Sequence, residues 1–524
     1  MSIKQESSGS EAAASWNISG KDRTIFTIIV MTGAFMAILD TTVVDVLVPK
    51  LTGPLSSDMY GVQWIITSYM LSAAVGLLFA ENLIKRFGNK HIFIFGVVIF
   101  TVASWVCGIS DSLEVMIVAR VIQGVGEALI MVTSHVMIFS YFPPDKQGVA
   151  MGIFALGVSF APSLGPTIGG YLTEHFSWRM AFFINIPVGI LLVVAGFTFL
   201  PDKEKRIAMP FNFISFILLS VATTMLLVML SKGQQLGWMN SRLIILLLFG
   251  SLIVFVFYIL SEWHSRHRLI DFSLFRSPDF FNGILIYFFV LGFSMYQFFY
   301  LLPVYYEHIK MMPTFDAGLG VLAFAVFVGI FSPVAGIMSD KYGPKYVLVI
   351  AGVIYALSSF WLIPKLGYYT PFAEAMLITV PLGVAMGMFF APATVLLLQS
   401  APDDKSELAI VIMDYFRFVG GSFGTAIATN NIEFFRFKYL ENMHAVQNSS
   451  YVLQFLEKLQ QNAQVTFEQA KAALMQYEMI MSSSYAFHDI FLNAGYWALF
   501  GSIFIVLLFV PLPFFPKQIK GGRL

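Results

Sequence analysis

The most regular feature of the chain is a series of long apolar stretches separated by short polar segments. About 20 consecutive, mostly apolar residues are enough for a helix to cross the hydrocarbon core of a bilayer. Fourteen stretches meet this requirement, and the pattern therefore predicts an all-α membrane protein with 14 transmembrane helices. They lie near residues 24–48, 62–82, 91–109, 113–140, 148–171, 178–200, 211–231, 241–261, 281–305, 316–338, 345–364, 372–398, 406–430 and 490–513.

The composition agrees with a chain whose main solvent is lipid. Hydrophobic residues make up 57% of the sequence and charged residues only 12%, whereas soluble proteins carry about 25% charged residues. The formal net charge is zero, which argues against a nucleic-acid partner. The single cysteine, Cys107, excludes a disulfide framework. The sequence has no Gly-rich phosphate loop in a soluble domain, so we expect no metal, nucleotide or organic cofactor.

An even number of spans places both termini on one side of the membrane, and the basic residues indicate which side. Of the 31 Lys and Arg residues, nineteen fall in segments on the side of the N-terminus, ten fall on the other side and two lie within spans. Four of those ten belong to one long loop, and long loops contribute little to the positive-inside rule. The polar first residues lack a continuous apolar run, so we expect a tail and not a cleaved signal peptide. Both termini are therefore predicted to be cytoplasmic.

Two similar stretches indicate an internal duplication. GIMSDKYGPK (336–345) joins the tenth and eleventh spans, and ENLIKRFGNK (81–90) joins the second and third. Such repeats are typical of transporters built from two related bundles. The predicted organisation is a tail, a first six-helix bundle, an inserted pair of helices, a cytoplasmic loop, a second six-helix bundle and a final tail. Their ranges are 1–23, 24–200, 201–262, 263–280, 281–513 and 514–524.

The second bundle contains one long extracytoplasmic loop, 431–489. Its apolar residues recur at helical spacing with Gln, Glu and Lys between them, which favours a short helical hairpin outside the membrane. An irregular connector that covers its own bundle is the alternative.

Charged residues inside the predicted spans are the main candidates for function. Asp40 lies in the middle of the first span, where a charge costs on the order of 2.5–3.5 kcal/mol on insertion scales. Burial raises a carboxyl pKa in general and a nearby guanidinium lowers it, so such a site can be tuned to exchange protons. A purely structural ion pair with Arg120 is the alternative. Asp45 points about 140° away from Asp40 on a helix, so the two carboxylates do not form a pair.

Two other spans carry charges. Arg120, Glu127 and His135 lie on one face of the fourth span because they are seven and eight residues apart. Glu127 is a candidate proton site or counter-charge, with a buried, hydrogen-bonded Glu as the alternative, and His135 is expected to be a packed or hydrogen-bonded side chain. In the thirteenth span, Asp414 and Arg417 have the i, i+3 spacing of an intrahelical ion pair.

Six segments together resemble one family, the fourteen-span drug:proton antiporters of the major facilitator superfamily. The chain is most similar to their EmrB branch, although Asp45, Glu81 and Lys85 depart from the family pattern. The segments are LDTTVVDVLVP (39–49), RVIQG (120–124), GVSFAPSLGPTIGG (157–170), WRMAFFINIPVGI (178–190), LIDFSLFRSPDF (269–280) and GIMSDKYGPK (336–345).

The resemblance implies the major facilitator fold and proton-driven export of hydrophobic or amphipathic toxic compounds by alternating access. Proton coupling is then assigned to Asp40, Arg120, Glu127, Asp414 and Arg417. Conformational motifs comprise Gly165, Pro166, Gly169, Gly170, Gly336, Asp340, Lys341 and Gly343. The aromatic ninth span suits an adaptable apolar ligand surface, with a lipid-facing helix as the alternative. The substrate-binding candidates are Gln123, Tyr296, Gln297 and Phe298.

The resemblance also implies a location and partners. We expect a multi-pass protein of the bacterial inner membrane, driven by the proton gradient, whose substrates are small hydrophobic or cationic drugs. A periplasmic EmrA-like adaptor and an outer-membrane channel would complete a tripartite pump, with the 431–489 loop as the candidate contact. The competing hypothesis is a dedicated exporter or importer of one endogenous metabolite, such as a siderophore or fatty acid. A membrane-embedded enzyme is disfavoured because no paired carboxylates lie at the membrane edge.

Overall fold

The computed structural model describes residues 20–202, 210–402, 405–444, 450–463 and 466–509, and all its long elements are helices. Within these described ranges, thirteen helices are long and apolar enough to cross a membrane, or fourteen when the bent fifth helix counts as one span. The predicted all-α membrane architecture is thus confirmed. The first bundle contains α1 (Gly20–Leu51), α2 (Trp64–Phe87), α3 (Asn89–Ile109), α4 (Leu113–Tyr141), α5 (Gln147–His175) and α6 (Met180–Phe199).

The remaining helices complete the second bundle and the insertion. The inserted pair is α7 (Phe213–Leu236) and α8 (Arg242–His264). The other helices are α9 (Pro278–Ile309), α10 (Thr314–Tyr342), α11 (Pro344–Lys365), α12 (Phe372–Ser400), α13 (Ser406–His444), α14 (Ser450–Ala463) and α15 (Phe467–Leu507). Residues 1–19, 203–209 and 510–524, which include most of the predicted N-terminal tail and all of the predicted C-terminal tail, lie outside the described residues. We call the end of the bundles at which α1 begins the cytoplasmic end, following the predicted topology.

Two equivalent glycines mark the internal repeat. Gly88 between α2 and α3 has φ 85°, and Gly343 between α10 and α11 has φ 90°. Glycine adopts this left-handed backbone without the steric cost that a Cβ imposes. The two turns that the sequence repeat singled out therefore share one unusual geometry.

The two bundles meet chiefly along α5 and α10, and also where α2 approaches α13. The α5 helix contains Pro162 and Pro166 and is bent by 41°. Proline removes a backbone hydrogen bond and clashes with the preceding turn, which accounts for the bend. Small residues then allow the backbones of α5 and α10 to approach closely: a Cβ on Gly152 would lie 2.8 Å from the Cα of Pro333.

The inserted helix α7 contacts both bundles. The hydroxyls of Ser231 and Thr67 on α2 lie 2.9 Å apart, so α7 is tied to the first bundle. Trp238, just after α7, donates from Nε1 to Oδ1 of Asn430 on α13 at 2.9 Å. The insertion therefore lies against the junction between the bundles.

The cytoplasmic segment between α8 and α9 is fixed by ion pairs. Lys405 Nζ lies 2.6 Å from Oδ2 of Asp271, and Ser273 donates its backbone N–H to Oδ1 at 2.9 Å. Partial burial raises the pKa of Asp271, but the hydrogen bonds from Lys405 and Ser273 outweigh it and lower this pKa to about 2. Lys345 forms a second pair with Asp279 at 2.7 Å.

The long loop predicted at 431–489 is helical over its described residues. The α13 helix continues to His444, α14 spans Ser450–Ala463, and α15 begins at Phe467. A capping box formed by Thr466 and Gln469 satisfies the first backbone N–H groups of α15. The last span therefore begins well before its apolar stretch at 490, because the cap and not hydrophobicity sets the helix start. Of the two alternatives, the helical one matches the structure.

Candidate functional site

The Asp40 carboxylate is buried in the first bundle against a guanidinium group. Nη1 of Arg120 donates to Oδ2 of Asp40 at 2.5 Å, and Nε of Arg120 donates to the carbonyl of Ile65 at 3.2 Å. The guanidinium also lies 3.7 Å from the centre of the Tyr69 ring, a cation–π contact. Both charged side chains are at most 1% exposed, so each is the main neutralising partner of the other in a setting that excludes water.

Two amides complete the shell around Asp40. Nδ2 of Asn185 donates to Oδ1 at 2.7 Å, and Nε2 of Gln123 donates to the same oxygen at 3.0 Å. Asn185 also donates to the hydroxyl of Ser104, which in turn donates to the carbonyl of Phe182. Asn185 and Ser104 were not among the candidates from sequence. The one available signal for Asn185 was that it is a lone amide in the apolar block 178–190, and this signal is too weak to single it out.

Gln123 lies among the charged groups of the first bundle. Its Oε1 accepts from Nη1 of Arg120 at 2.9 Å, and its Nε2 donates to Oδ1 of Asp40. Both ends of the amide are therefore engaged within the first bundle. This geometry makes Gln123 a partner of the ion pair, whereas the sequence assigned it to the substrate.

Glu127 lies in the middle of α4, between two buried arginines. Its carboxylate is next to Tyr69, whose hydroxyl donates to the carbonyl of Ala37 at 3.2 Å. It interacts electrostatically with Arg120 of its own bundle and with Arg417 of the other. Oε2 of Glu127 is buried and has no hydrogen-bond partner. Glu127 thus links the charges of the two bundles.

A second charged group joins α4 to α13. Oδ1 of Asp414 lies 3.4 Å from Nη2 of Arg417, the intrahelical pair that the i, i+3 spacing indicated. Oδ2 of Asp414 lies 3.2 Å from Nδ1 of His135, a contact between bundles that the sequence did not reveal. The His135 ring packs against Phe154 and Phe390, with ring centres 4.8 and 5.8 Å away. His135 is therefore both packed and hydrogen-bonded.

The substrate candidates of α9 lie on the second bundle. Gln297 is fully buried, and neither atom of its amide has a hydrogen-bond partner. Tyr296 is half-buried and interacts electrostatically with Arg417. Phe298 packs edge-on against Tyr355 with ring centres 6.1 Å apart. The unpaired amide of Gln297 marks a polar position within an aromatic setting.

The conformational motif of α10 reaches across to the start of α5. Oδ1 and Oδ2 of Asp340 accept from the backbone N–H groups of Gly148 and Val149 at 2.7 and 2.9 Å. A carboxylate at a helix N-terminus satisfies free N–H groups and complements the helix dipole. Gly336 lies against Gly148 so closely that a Cβ would be 2.1 Å from the Gly148 carbonyl oxygen. These contacts hold the cytoplasmic ends of α5 and α10 together.

The other motif residues lie on the same two helices. The ammonium group of Lys341 lies over the ring of Tyr342 at 5.1 Å. Glycines of the α5 motif allow close helix contacts, on α1 within the first bundle and on α10 of the second. The contacts are Gly165 with Thr42, Gly169 with Val43, and Gly170 with Phe315. The Asp45 side chain lies outside the described residues.

Comparison with known proteins agrees with this architecture. The family model of the Major Facilitator Superfamily matches residues 30–425 and 311–522. The multidrug export protein EmrB of Haemophilus influenzae is 29% identical over 79% of this chain and 81% of its own length. The riboflavin transporter RibZ of Clostridioides difficile is 30% identical over 78% of this chain and 87% of its own length. The predicted resemblance to the EmrB branch is confirmed.

The fold has a counterpart among solved structures. The proton:xylose symporter XylE superposes with a TM-score of 0.61 over 94% of this chain and 97% of its own, at 14% sequence identity. This similarity concerns the fold alone, and it confirms the arrangement that the sequence predicted. The two bundles, their internal repeat and the family match together show that the chain is a multi-pass membrane transporter and belongs to the major facilitator superfamily.

Proposed function

We propose that this protein is a proton-coupled multidrug efflux transporter that exports hydrophobic or amphipathic toxic compounds from bacteria by alternating access. The observation that carries the proposal is the buried Asp40–Arg120 pair, whose carboxylate accepts three hydrogen bonds. A buried charge within a membrane is costly and marks a functional site by default. The EmrB relatives are multidrug export proteins, which supports drug export as the function.

Proton entry through Asp40 would provide the driving force. When Asp40 takes up a proton, its attraction to Arg120 falls and the guanidinium becomes the less compensated charge. Glu127 interacts electrostatically with both Asp40 and Arg120. Protonation of Asp40 would therefore change the electrostatic potential at Glu127, in the middle of α4. A membrane potential of 100 mV supplies about 2.3 kcal/mol per proton, which corresponds to a concentration ratio of roughly 50.

Alternating access would proceed by rocking of the two bundles. The contact between Asp340 and the N-terminus of α5 joins them at the cytoplasmic end. Breaking it would open the site to the cytoplasm and admit the substrate. The unpaired amide of Gln297 and the ring of Tyr296 would then contact the substrate, since apolar pockets with a few polar groups suit amphipathic ligands.

The assembly that we propose is tripartite, with a periplasmic EmrA-like adaptor and an outer-membrane channel. The α13 helix has 39 residues, about 58 Å at 1.5 Å per residue, and a bilayer core is only about 30 Å thick. It therefore extends well beyond the membrane beside α14 and the start of α15. Phe434 and Phe437 are exposed on this extension and are candidate contacts for the adaptor.

A dedicated carrier of one metabolite is the second candidate function. This candidate is supported by the relative RibZ, a riboflavin transporter. The same fold and coupling residues would serve such a carrier. The range of exported compounds separates the two functions.

The test is ethidium efflux from cells that lack their own pumps. We expect wild-type protein to export the dye, and both Asp40→Asn and collapse of the proton gradient to abolish export at equal membrane abundance. Asp111→Asn is the matched control, because the Asp111 side chain is 87% exposed and pairs with Arg179 at the surface. Full gradient-driven efflux by Asp40→Asn would refute coupling at Asp40. No export of any dye by wild type would favour the dedicated carrier.

A further inference from the structure

His135 and Asp414 join the two bundles inside the membrane, toward the cytoplasmic end. Nδ1 and Oδ2 lie 3.2 Å apart, and both side chains are fully buried. His135 belongs to the last two turns of α4, and Asp414 to the third turn of α13. In the proposed alternating access, opening of the cytoplasmic end would separate α4 from α13 and so break this contact.

The His135 ring has a second nitrogen that faces no partner. Nε2 is buried and forms no hydrogen bond. An unsatisfied buried polar atom costs about 1–3 kcal/mol, and such atoms call for a functional explanation. Imidazole can accept a proton on one nitrogen and release a proton from the other, which makes it a proton shuttle.

Three charged or titratable side chains surround the contact between His135 and Asp414. From α13, Arg417 approaches Oδ1 of Asp414 at 3.4 Å. From α9, the Tyr287 hydroxyl hydrogen-bonds to the hydroxyl of Thr394 and interacts electrostatically with Asp414. Within α4, Glu127 interacts with Arg417 and so competes with Asp414 for the same guanidinium.

We propose that His135 is a proton-relay residue that passes the proton of Asp414 to the cytoplasm. The carboxyl group of Asp414 gives its proton to Nδ1, and the proton on Nε2 leaves to water as the cytoplasmic end opens. The products are a carboxylate beside Arg417, a neutral ring that carries its proton on Nδ1, and one released proton. Water in the open state returns the ring proton to Nε2 before the next cycle. The relay rests on the proposed proton coupling and adds its exit route.

The experiment uses the full chain in proteoliposomes with ethidium as the substrate. It measures ethidium exchange without a gradient, and proton release coupled to ethidium transport as a function of cytoplasmic-side pH. His135→Gln keeps a hydrogen-bonding amide near Asp414 but cannot titrate. We expect its exchange to stay within about twofold of wild type, its coupled proton release to fall at least tenfold, and its pH dependence to flatten. The control is His308→Gln, which changes an exposed histidine at the end of α9 that is far from the cytoplasmic end. This variant should match wild type.

The outcomes separate the relay from the proposed function. Coupled proton release by His135→Gln with the wild-type pH profile overturns the relay and leaves the proposed function standing. Equal loss of exchange and coupling shows a merely structural role and also overturns the relay. Wild type without any coupled proton movement refutes the proposed function itself. If His135→Gln does not reach the membrane, His135→Asn is judged by the same criteria.

Discussion

Asp340 on α10 caps the N-terminus of α5 through the backbone N–H of Gly148, at 2.7 Å across the boundary between the two bundles. The two residues are 192 positions apart in the sequence and belong to different halves of the repeat. The cytoplasmic ends of the two bundles can separate only when this contact breaks, so the charge and position of the Asp340 side chain affect their separation.

Asp340→Asn should favour the state that is open to the cytoplasm. The substitution removes one acceptor and the negative charge at the helix terminus, and caps of this kind contribute about 0.5–2 kcal/mol. The open population should rise about 2- to 30-fold. The measurement is the rate of maleimide labelling of Ala150→Cys, a buried position on α5, in a Cys107→Ser background.

Asp279→Asn is the control for Asp340→Asn. It removes an ion pair with Lys345 within the second bundle and should leave the labelling rate at Ala150→Cys unchanged. Equal labelling of the Asp340 and Asp279 variants would show that the cap does not hold the bundles together.

Gly336→Ala should impair transport by preventing the close approach of α10 and α5. A Cβ at this position would lie 2.1 Å from the backbone oxygen of Gly148, which cannot rotate away. Overpacking of this kind costs about 1–3 kcal/mol, and we expect efflux to fall about 5- to 150-fold. Gly329→Ala on the same helix is the control, since its nearest atom beyond the helix is a Phe160 carbon at 3.7 Å. Equal efflux by both variants would contradict the prediction.

Asn185→Ala should weaken proton-coupled efflux, because it removes the shortest amide hydrogen bond to Asp40, at 2.7 Å. Hydrogen bonds to charged groups contribute about 1.5–3 kcal/mol, so the rate should fall about 10- to 150-fold. Gradient-driven ethidium efflux at matched abundance measures the effect. The control is Asn431→Ala, which removes an amide hydrogen bond to Asn493 in the second bundle, toward the C-terminal end of α13. This variant should have little effect.

Asp271 should make the thermal stability of the protein depend on pH between about pH 4 and pH 2. Its pKa is about 2 in the folded protein and about 3.9 in an unfolded chain. A lowered folded pKa gives a contribution that is present above pH about 4 and is lost as the pH falls toward 2. Asp271→Asn should therefore lower the unfolding temperature at pH 5 and 7 and make progressively less difference from pH 4 to pH 2. A constant difference across this range would contradict the assignment.

Local geometry was the predictable part of the site. The Asp414–Arg417 pair follows from a spacing of three residues on one helix, and the Gly88 and Gly343 turns follow from the repeated motif. Asp40 and Arg120 were paired from their isolation in apolar spans, since a lone charge in lipid requires a partner. The length of the apolar stretches located the spans, because a helix that crosses lipid needs about 20 consecutive, mostly apolar residues.

Contacts between helices were harder to infer. His135 and Asp414 are 279 residues apart, and their contact depends on how two bundles dock. Asn185 was hidden because a single amide in an apolar run has no characteristic spacing. The continuity of α15 from Phe467 into the predicted span was not evident from the sequence, because its first turns, capped by Thr466, lack the hydropathy of a membrane span.

The length of α13 has a mechanical consequence. This continuous helix packs in the second bundle and is about 28 Å longer than a bilayer core is thick, so its extension moves with that bundle as a rigid rod. If that bundle rotates by about 10°, the order of angle seen in rigid-body switching, the end of this extension moves by about 5 Å. In the proposed alternating access, a molecule that rests on the end of this extension would move with each cycle, so the extension would report the state of the buried site.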